Sequence, residues 1–188
     1  MKKRPDQWIV LVVGALAMAL VWLWPSPIPP EGTAVERHPL ALGPSDKPAL
    51  VLFSWWGCPH CQRMWAEYGP RLVERAQRGE IRLVFRPIAR NRSEALVSAF
   101  LYCQPPRDAF LSIGDYFAMS ALPEATLREQ ESTRPLLRCA DSAATRARLS
   151  DDNEAVTRWR IEYTPTLFAE GRRVKVEAME AVLASWGQ

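Results

Sequence analysis

A chain of 188 residues, 48% hydrophobic and 24% charged, has room for one ordinary domain plus an appendage, and that composition excludes disorder over most of its length. The net charge of +3 is mostly local: Lys2, Lys3 and Arg4 against Asp6 account for +2 of it. Neither a nucleic-acid surface nor an acidic partner is indicated.

In chain order, residues 1–7 are a basic start, and residues 8–24, WIVLVVGALAMALVWLW, are 17 residues without a charge. That length is at the short end for a membrane-spanning helix, and the terminal tryptophans Trp8 and Trp24 suit the membrane interface. The basic start should stay in the cytoplasm, so the remainder of the chain is exported. A cleaved signal peptide is the competing reading, because Ala17-Met18-Ala19 has the A-x-A pattern. The apolar run continues past that point through Trp24, which favours an uncleaved anchor. Pro25, Pro27, Pro29 and Pro30 then begin a stiff linker over about residues 25–45, in which His38 reads as an exposed residue. The folded domain is expected from residue 46 to residue 188.

Within it, ALVLFS at 49–54 lies between Pro48 and Gly57 and reads as a buried central strand. Beyond Cys58 the apolar spacing becomes helical, with Pro59 suited to the first helical position and Pro70 expected to kink the helix without ending it. IRLVFRPI at 81–88 is a second strand, completing a βαβ unit. Residues 92–149 then read as a helical insertion, with pieces near 93–103, 107–119, 123–131 and 135–149. A further helix at about 151–159 precedes a hairpin, Thr166–Ala169 and Arg172–Val176 around a turn at Glu170-Gly171. A last helix spans 177–186. The apolar cluster Phe110, Tyr116, Phe117 and Met119 reads as core packing, and Arg158, Arg160, Arg172 and Arg173 as a solvated face.

The chemistry centres on Cys58-Pro59-His60-Cys61. Covalent haem attachment needs histidine after the second cysteine, and Gln62 stands there. Structural zinc needs two further ligands at close spacing, whereas Cys103 and Cys139 are far apart with no histidine between them. A purely structural Cys58–Cys61 bridge would close so small a loop that it would stabilise little. The redox reading has a physical basis. A thiolate at a helix N-terminus is stabilised by unpaired N–H groups and the helix dipole, which favours the reduced pair and makes its disulfide an oxidant. A protonated or hydrogen-bonding His60 would add to this. Cys58 is then the exposed reacting sulfur and Cys61, one turn further on, the buried resolving thiol.

FSWWGCPHC at a strand end, IRLVFRPI as the next strand, the helical insertion, and Tyr163-Thr164-Pro165-Thr166 before the closing hairpin together resemble the DsbA-like branch of the thioredoxin superfamily over residues 46–188. The resemblance implies an α/β thioredoxin-like fold and thiol–disulfide oxidoreductase activity, with no cofactor or metal besides the redox-active pair. It implies a cis Pro165 facing the cysteines, and Thr164 held open for pairing with an extended client. Some relatives join cysteines placed like Cys103 and Cys139 into a second disulfide. Trp55, Trp56 and Tyr163 are candidates for a substrate groove, although one of the tryptophans equally suits the core. Expected partners are client proteins with cysteine thiols and a DsbB-like membrane protein that reoxidises the pair at a bacterial inner membrane. A reductase or isomerase, and a non-catalytic assembly factor using the same groove, stay open as alternatives.

Overall fold

The computed structural model describes residues 38–186. The expected membrane anchor and most of the proline-rich linker lie outside the described residues. Among the described residues, no helix is long and apolar enough to cross a membrane.

A five-stranded mixed sheet runs in the order β1-β3-β2-β4-β5. Its strands are β1 (Ala41–Leu42), β2 (Ala49–Trp55), β3 (Arg82–Ile88), β4 (Thr166–Ala169) and β5 (Arg172–Val174). β2 and β3 are parallel, joined by the crossover helix α1 (Pro59–Gln77), and every other pairing is antiparallel. The near-continuous apolar runs of β2 and β3 suit strands covered on both faces. Leu50, Leu52, Leu83 and Phe85 pack beneath α1 and the insertion. Val51, Phe53, Val84, Ile88, Trp159 and Phe168 form a second core on the opposite face. The hairpin turn places Glu170 and Gly171 at positive φ, 49° and 74°, as a tight two-residue turn requires.

The insertion consists of α2 (Arg92–Tyr102), α3 (Pro106–Met119), α4 (Glu124–Glu129), a 3₁₀ turn at Arg134–Leu136, α5 (Leu137–Ala140) and α6 (Ala143–Arg158). Phe110, Tyr116 and Phe117 are buried in its core, and Met119 packs against them half-buried. The helix expected over 135–149 is broken at Asp141 and Ser142, and the one expected over 151–159 is the second half of α6. The reason is a cap: Ser142 accepts a hydrogen bond from the Thr145 N–H and starts α6 there. A 3₁₀ turn at Val176–Ala178 precedes the final helix α7 (Met179–Ser185). α1 runs unbroken through Pro70.

Two further corrections concern charge and the domain boundary. The domain begins before residue 46, because β1 pairs with β3 and His38 is buried, only 7% exposed. His38 Nδ1 accepts from the Leu40 N–H at 3.3 Å, and Nε2 lies 3.2 Å from Asp152 Oδ1. Asp152 also takes a hydrogen bond from the Tyr102 hydroxyl and an ion pair from Arg86 at 3.0 Å. Arg86 in turn lies over both the Phe53 and Trp159 rings, 5.8 and 5.4 Å from their centres, and reaches Asp151 at 3.2 Å. His38, Asp151 and Asp152 bring three metal-ligating side chains together, but the Arg86 guanidinium already supplies the positive charge between the two carboxylates. Of the expected solvated arginines, Arg173 also ties the hairpin to the chain after α6, donating to the Trp159 and Arg160 carbonyls at 3.3 and 2.9 Å.

Cys103, at the end of α2, is bonded to Cys139 in α5 across 36 residues of insertion. Replacing both with alanine should cost about 4 kcal/mol of stability by the chain-entropy estimate. Urea unfolding of the two proteins tests this, and coincident midpoints would show that packing alone holds the insertion together.

Candidate active site

β2 runs straight into the active-site turn. After Trp55 the chain turns through Trp56 and Gly57, and the Cys58 N–H donates back to the Trp55 carbonyl at 3.1 Å. Cys58 itself is the N-cap of α1, in extended conformation at φ −94° and ψ 111°, with Pro59 at the start of the helix. Gly57 is required here because a Cβ on it would lie 2.5 Å from the Trp55 ring.

Capping aims the unpaired N–H groups of the first helical turn at sulfur. The Cys61 N–H donates to Cys58 Sγ at 3.2 Å, and Sγ lies 3.3 Å from the Thr164 carbonyl oxygen. Thr164 and Pro165, joined by a cis peptide bond, therefore face Cys58 from the loop before β4. Both cysteines are free thiols, with Cys58 only 5% exposed and Cys61 fully buried.

Their acidities diverge. Burial pushes the Cys58 thiol up, but hydrogen bonds from the Cys61 and Thr164 side chains and from the Cys61 and His60 N–H groups outweigh it. The net result lies below the ordinary 9.0. Burial, reinforced by the hydrogen bond with Cys58, pushes Cys61 up to about 12, against smaller lowering effects from Thr164, Ser54 and the Trp55 backbone. The two thiols titrate as a linked pair. The 240 nm thiolate absorbance of the dithiol form should thus rise in two steps, one below pH 9 and one near 12, and Cys58→Ser should remove the first. A single step at or above 9 in the intact pair would refute this arrangement. The linkage to stability has opposite signs for the two groups. The lowered Cys58 value stabilises the folded dithiol above pH 9, and that contribution is lost as the pH falls through it. The raised Cys61 value withdraws stability as the pH rises from 9 towards 12.

The expected role of His60 is only partly realised. Its backbone N–H helps lower Cys58, but its exposed ring accepts a hydrogen bond from Arg63 at 2.9 Å through Nδ1. The expected groove is divided as well. Two clefts flank Cys58: one of about 520 Å³ lined by Trp56, Cys58, Pro59, Gln62, Phe117 and Leu122, and one of about 340 Å³ lined by His60, Met64, Tyr163, Thr164, Pro165 and Val176. Trp56 is largely a core residue, donating to Ser98 Oγ at 2.7 Å and packing on Phe85 and Phe117. Trp55 lines neither cleft. Its indole N–H is shared by both Glu94 oxygens at 3.1 Å, and Arg90 stacks on its ring. Tyr163 is exposed beside the second cleft, with Arg173 over its ring.

Sequence reasoning missed Glu94 and Ser54. An Asn91-x-x-Glu94 start to α2 signals a capping box, but the buried carboxylate accepts from the Arg90 N–H and Trp55. Ser54 is a polar residue within an apolar strand, and its alternation with Leu50 and Leu52 was the available signal.

No curated protein matches the chain by sequence. Among solved structures it is similar to a linker-deletion variant of Proteus mirabilis ScsC, at 16% identity and a TM-score of 0.66 over 99% of this chain and 96% of that one. Oxidised BdbD from Bacillus subtilis gives 14% identity and a TM-score of 0.62 over 84% and 97% of the two chains. A protein-disulfide isomerase from Novosphingobium aromaticivorans gives 19% identity and a TM-score of 0.60 over 79% and 97%. The thioredoxin family model spans residues 37–185, which takes in both cysteine pairs and the Thr164-Pro165 loop. The chain belongs to the thioredoxin family, has the DsbA-like form of its fold, and carries the paired-cysteine centre of a thiol–disulfide oxidoreductase.

Proposed function

We propose that this protein is an exported, membrane-tethered oxidase that forms disulfides in client proteins. The observation that carries the reading is the hydrogen bonding at Cys58 Sγ, which favours its thiolate despite burial. A reduced form stabilised in this way makes the Cys58–Cys61 disulfide a better electron acceptor. A client thiolate attacks Cys58 Sγ and a mixed disulfide forms. A second client thiolate then displaces Cys58, so the client leaves oxidised and the enzyme leaves as the dithiol. Turnover requires a reoxidant, for which a DsbB-like quinone-linked membrane protein is the expected partner. The bonded Cys103–Cys139 pair supports an oxidising compartment such as the periplasm, and the apolar stretch at 8–24 supports tethering to the inner membrane with the domain outside.

The test is the redox equilibrium of Cys58 with Cys61 in the detergent-solubilised full chain, read by alkylation mass shift across glutathione buffers. A potential well above that of the glutathione pool is expected. A potential near that of thioredoxin would overturn the oxidase reading in favour of a reductase, or of an isomerase that works with its pair reduced.

A further inference from the structure

Side chains alternate along β2, and Leu50 and Leu52 enter the core beneath α1, which Cys61 and, from the following turn, Trp56 also enter. Ser54 occupies the same row. It is 1% exposed, and its Oγ has no hydrogen-bond partner. Leaving a hydroxyl buried and unpaired is costly, so a partner present only in another state of the site is worth seeking.

The reaction supplies one. When a client thiolate attacks Cys58 Sγ of the disulfide form, a client–Cys58 bond forms and the Cys58–Cys61 bond breaks. The electron pair goes to Cys61 Sγ, which leaves as a thiolate and then takes a proton. In the opposite direction Cys61 gives up its proton and attacks Cys58 Sγ, expelling the client as a thiolate. Both directions place a negative charge on a sulfur that solvent does not reach. We propose that Ser54 is a positioning residue whose hydroxyl donates to Cys61 Sγ as that charge develops. A donor satisfied only in the charged state lowers the barrier without stabilising the resting dithiol. Consistent with this geometry, Ser54 is among the groups that favour the Cys61 thiolate.

The inference rests on Cys61 being the resolving thiol, and the experiment separates the two ideas. The full chain in detergent, with Cys58 and Cys61 reduced and the Cys103–Cys139 bond intact, is mixed with an aromatic disulfide whose released thiolate is coloured. A fast phase reports attack by Cys58, and a second phase reports expulsion of the remaining aromatic thiolate by Cys61. Ser54→Ala should slow the second phase about tenfold and leave the first unchanged, as loss of a hydrogen bond to a charged group implies. Ser54→Thr and Ser54→Val, alike in shape and differing in the hydroxyl, guard against a packing effect, and Thr should be the faster of the two in the second phase. Equal second-phase rates in wild type and Ser54→Ala, or in Thr and Val variants, would overturn the role of Ser54. A wild-type protein with no second phase would overturn the resolving role of Cys61 itself.

Discussion

Replacing Cys58 with serine should reduce thiol–disulfide exchange to background, whereas replacing Cys61 with serine should leave attack of the Cys58 thiolate on a client disulfide intact and accumulate the client as a mixed disulfide, its other sulfur leaving as a thiolate. The asymmetry follows from where one helix begins. Cys58 caps α1 and receives the Cys61 N–H at 3.2 Å, so the charge of its thiolate is met by backbone donors. Cys61 has no exposed surface and burial pushes its thiol up to about 12, so at pH 7 it stands almost wholly as the thiol. It cannot act as the entering nucleophile towards a bulky client. Its reaction is confined to the neighbouring Cys58 sulfur, where proximity replaces acidity. Non-reducing electrophoresis of each reduced variant with a disulfide-bonded client protein checks the prediction. Mixed disulfides in Cys58→Ser but not in Cys61→Ser would reverse the roles. Function retained in cells by the Cys58→Ser, Cys61→Ser double variant would favour the non-catalytic assembly factor.

The second large effect lies on the opposite face of the sheet. Asp152→Ala should destabilise the fold by about 3–5 kcal/mol, because it leaves the Arg86 guanidinium buried beside half-exposed Asp151 as its remaining carboxylate. It also strips His38 and Tyr102 of a shared acceptor. Asp152→Asn keeps an oxygen acceptor and loses the charge, so its cost should be smaller. Urea unfolding measures both. The rate of Cys58 attack per folded molecule should be unchanged, since the network joins β3 to α6 and the cysteines stand at the N-terminus of α1. An Asp152→Ala midpoint equal to that of wild type would mean that water replaces the lost carboxylate and that the network contributes nothing net. Should the cost be as large as expected, His38 and the short strand β1 belong to the cooperative core.

That outcome marks where sequence reasoning stopped. The βαβ start, the hairpin turn and the cysteine pair at a strand–helix junction were legible because each is a local pattern: an apolar run, a Pro at the first helical position, a Gly where φ must be positive. Helical spacing also placed Phe110, Tyr116 and Phe117 correctly in the core. The helix break at Ser142 was missed because serine in a charged, alanine-rich stretch reads as an ordinary helix residue until its hydroxyl is seen to accept from Thr145. His38 was misread for a different reason. A lone histidine after a proline-rich stretch has no local partner, and the residues that bury it, Tyr102 and Asp152, stand 64 and 114 positions away.

By itself the sequence determined the chemical groups this protein brings to its site: two cysteines spaced as a redox pair, a helix that begins at the first of them, and a threonine–proline pair before the last hairpin. Only the tertiary structure decided how the two sulfurs differ. Their acidities depend on what surrounds them, on the Thr164 loop brought from 106 positions away and on Ser54 in the strand beneath. Tertiary structure likewise decided which tryptophan lines a cleft, because Trp55 is claimed by Glu94 from α2. Bond-forming capacity is a property of residue type and spacing, whereas the free energy of a charge depends on burial and on donors that distant segments supply.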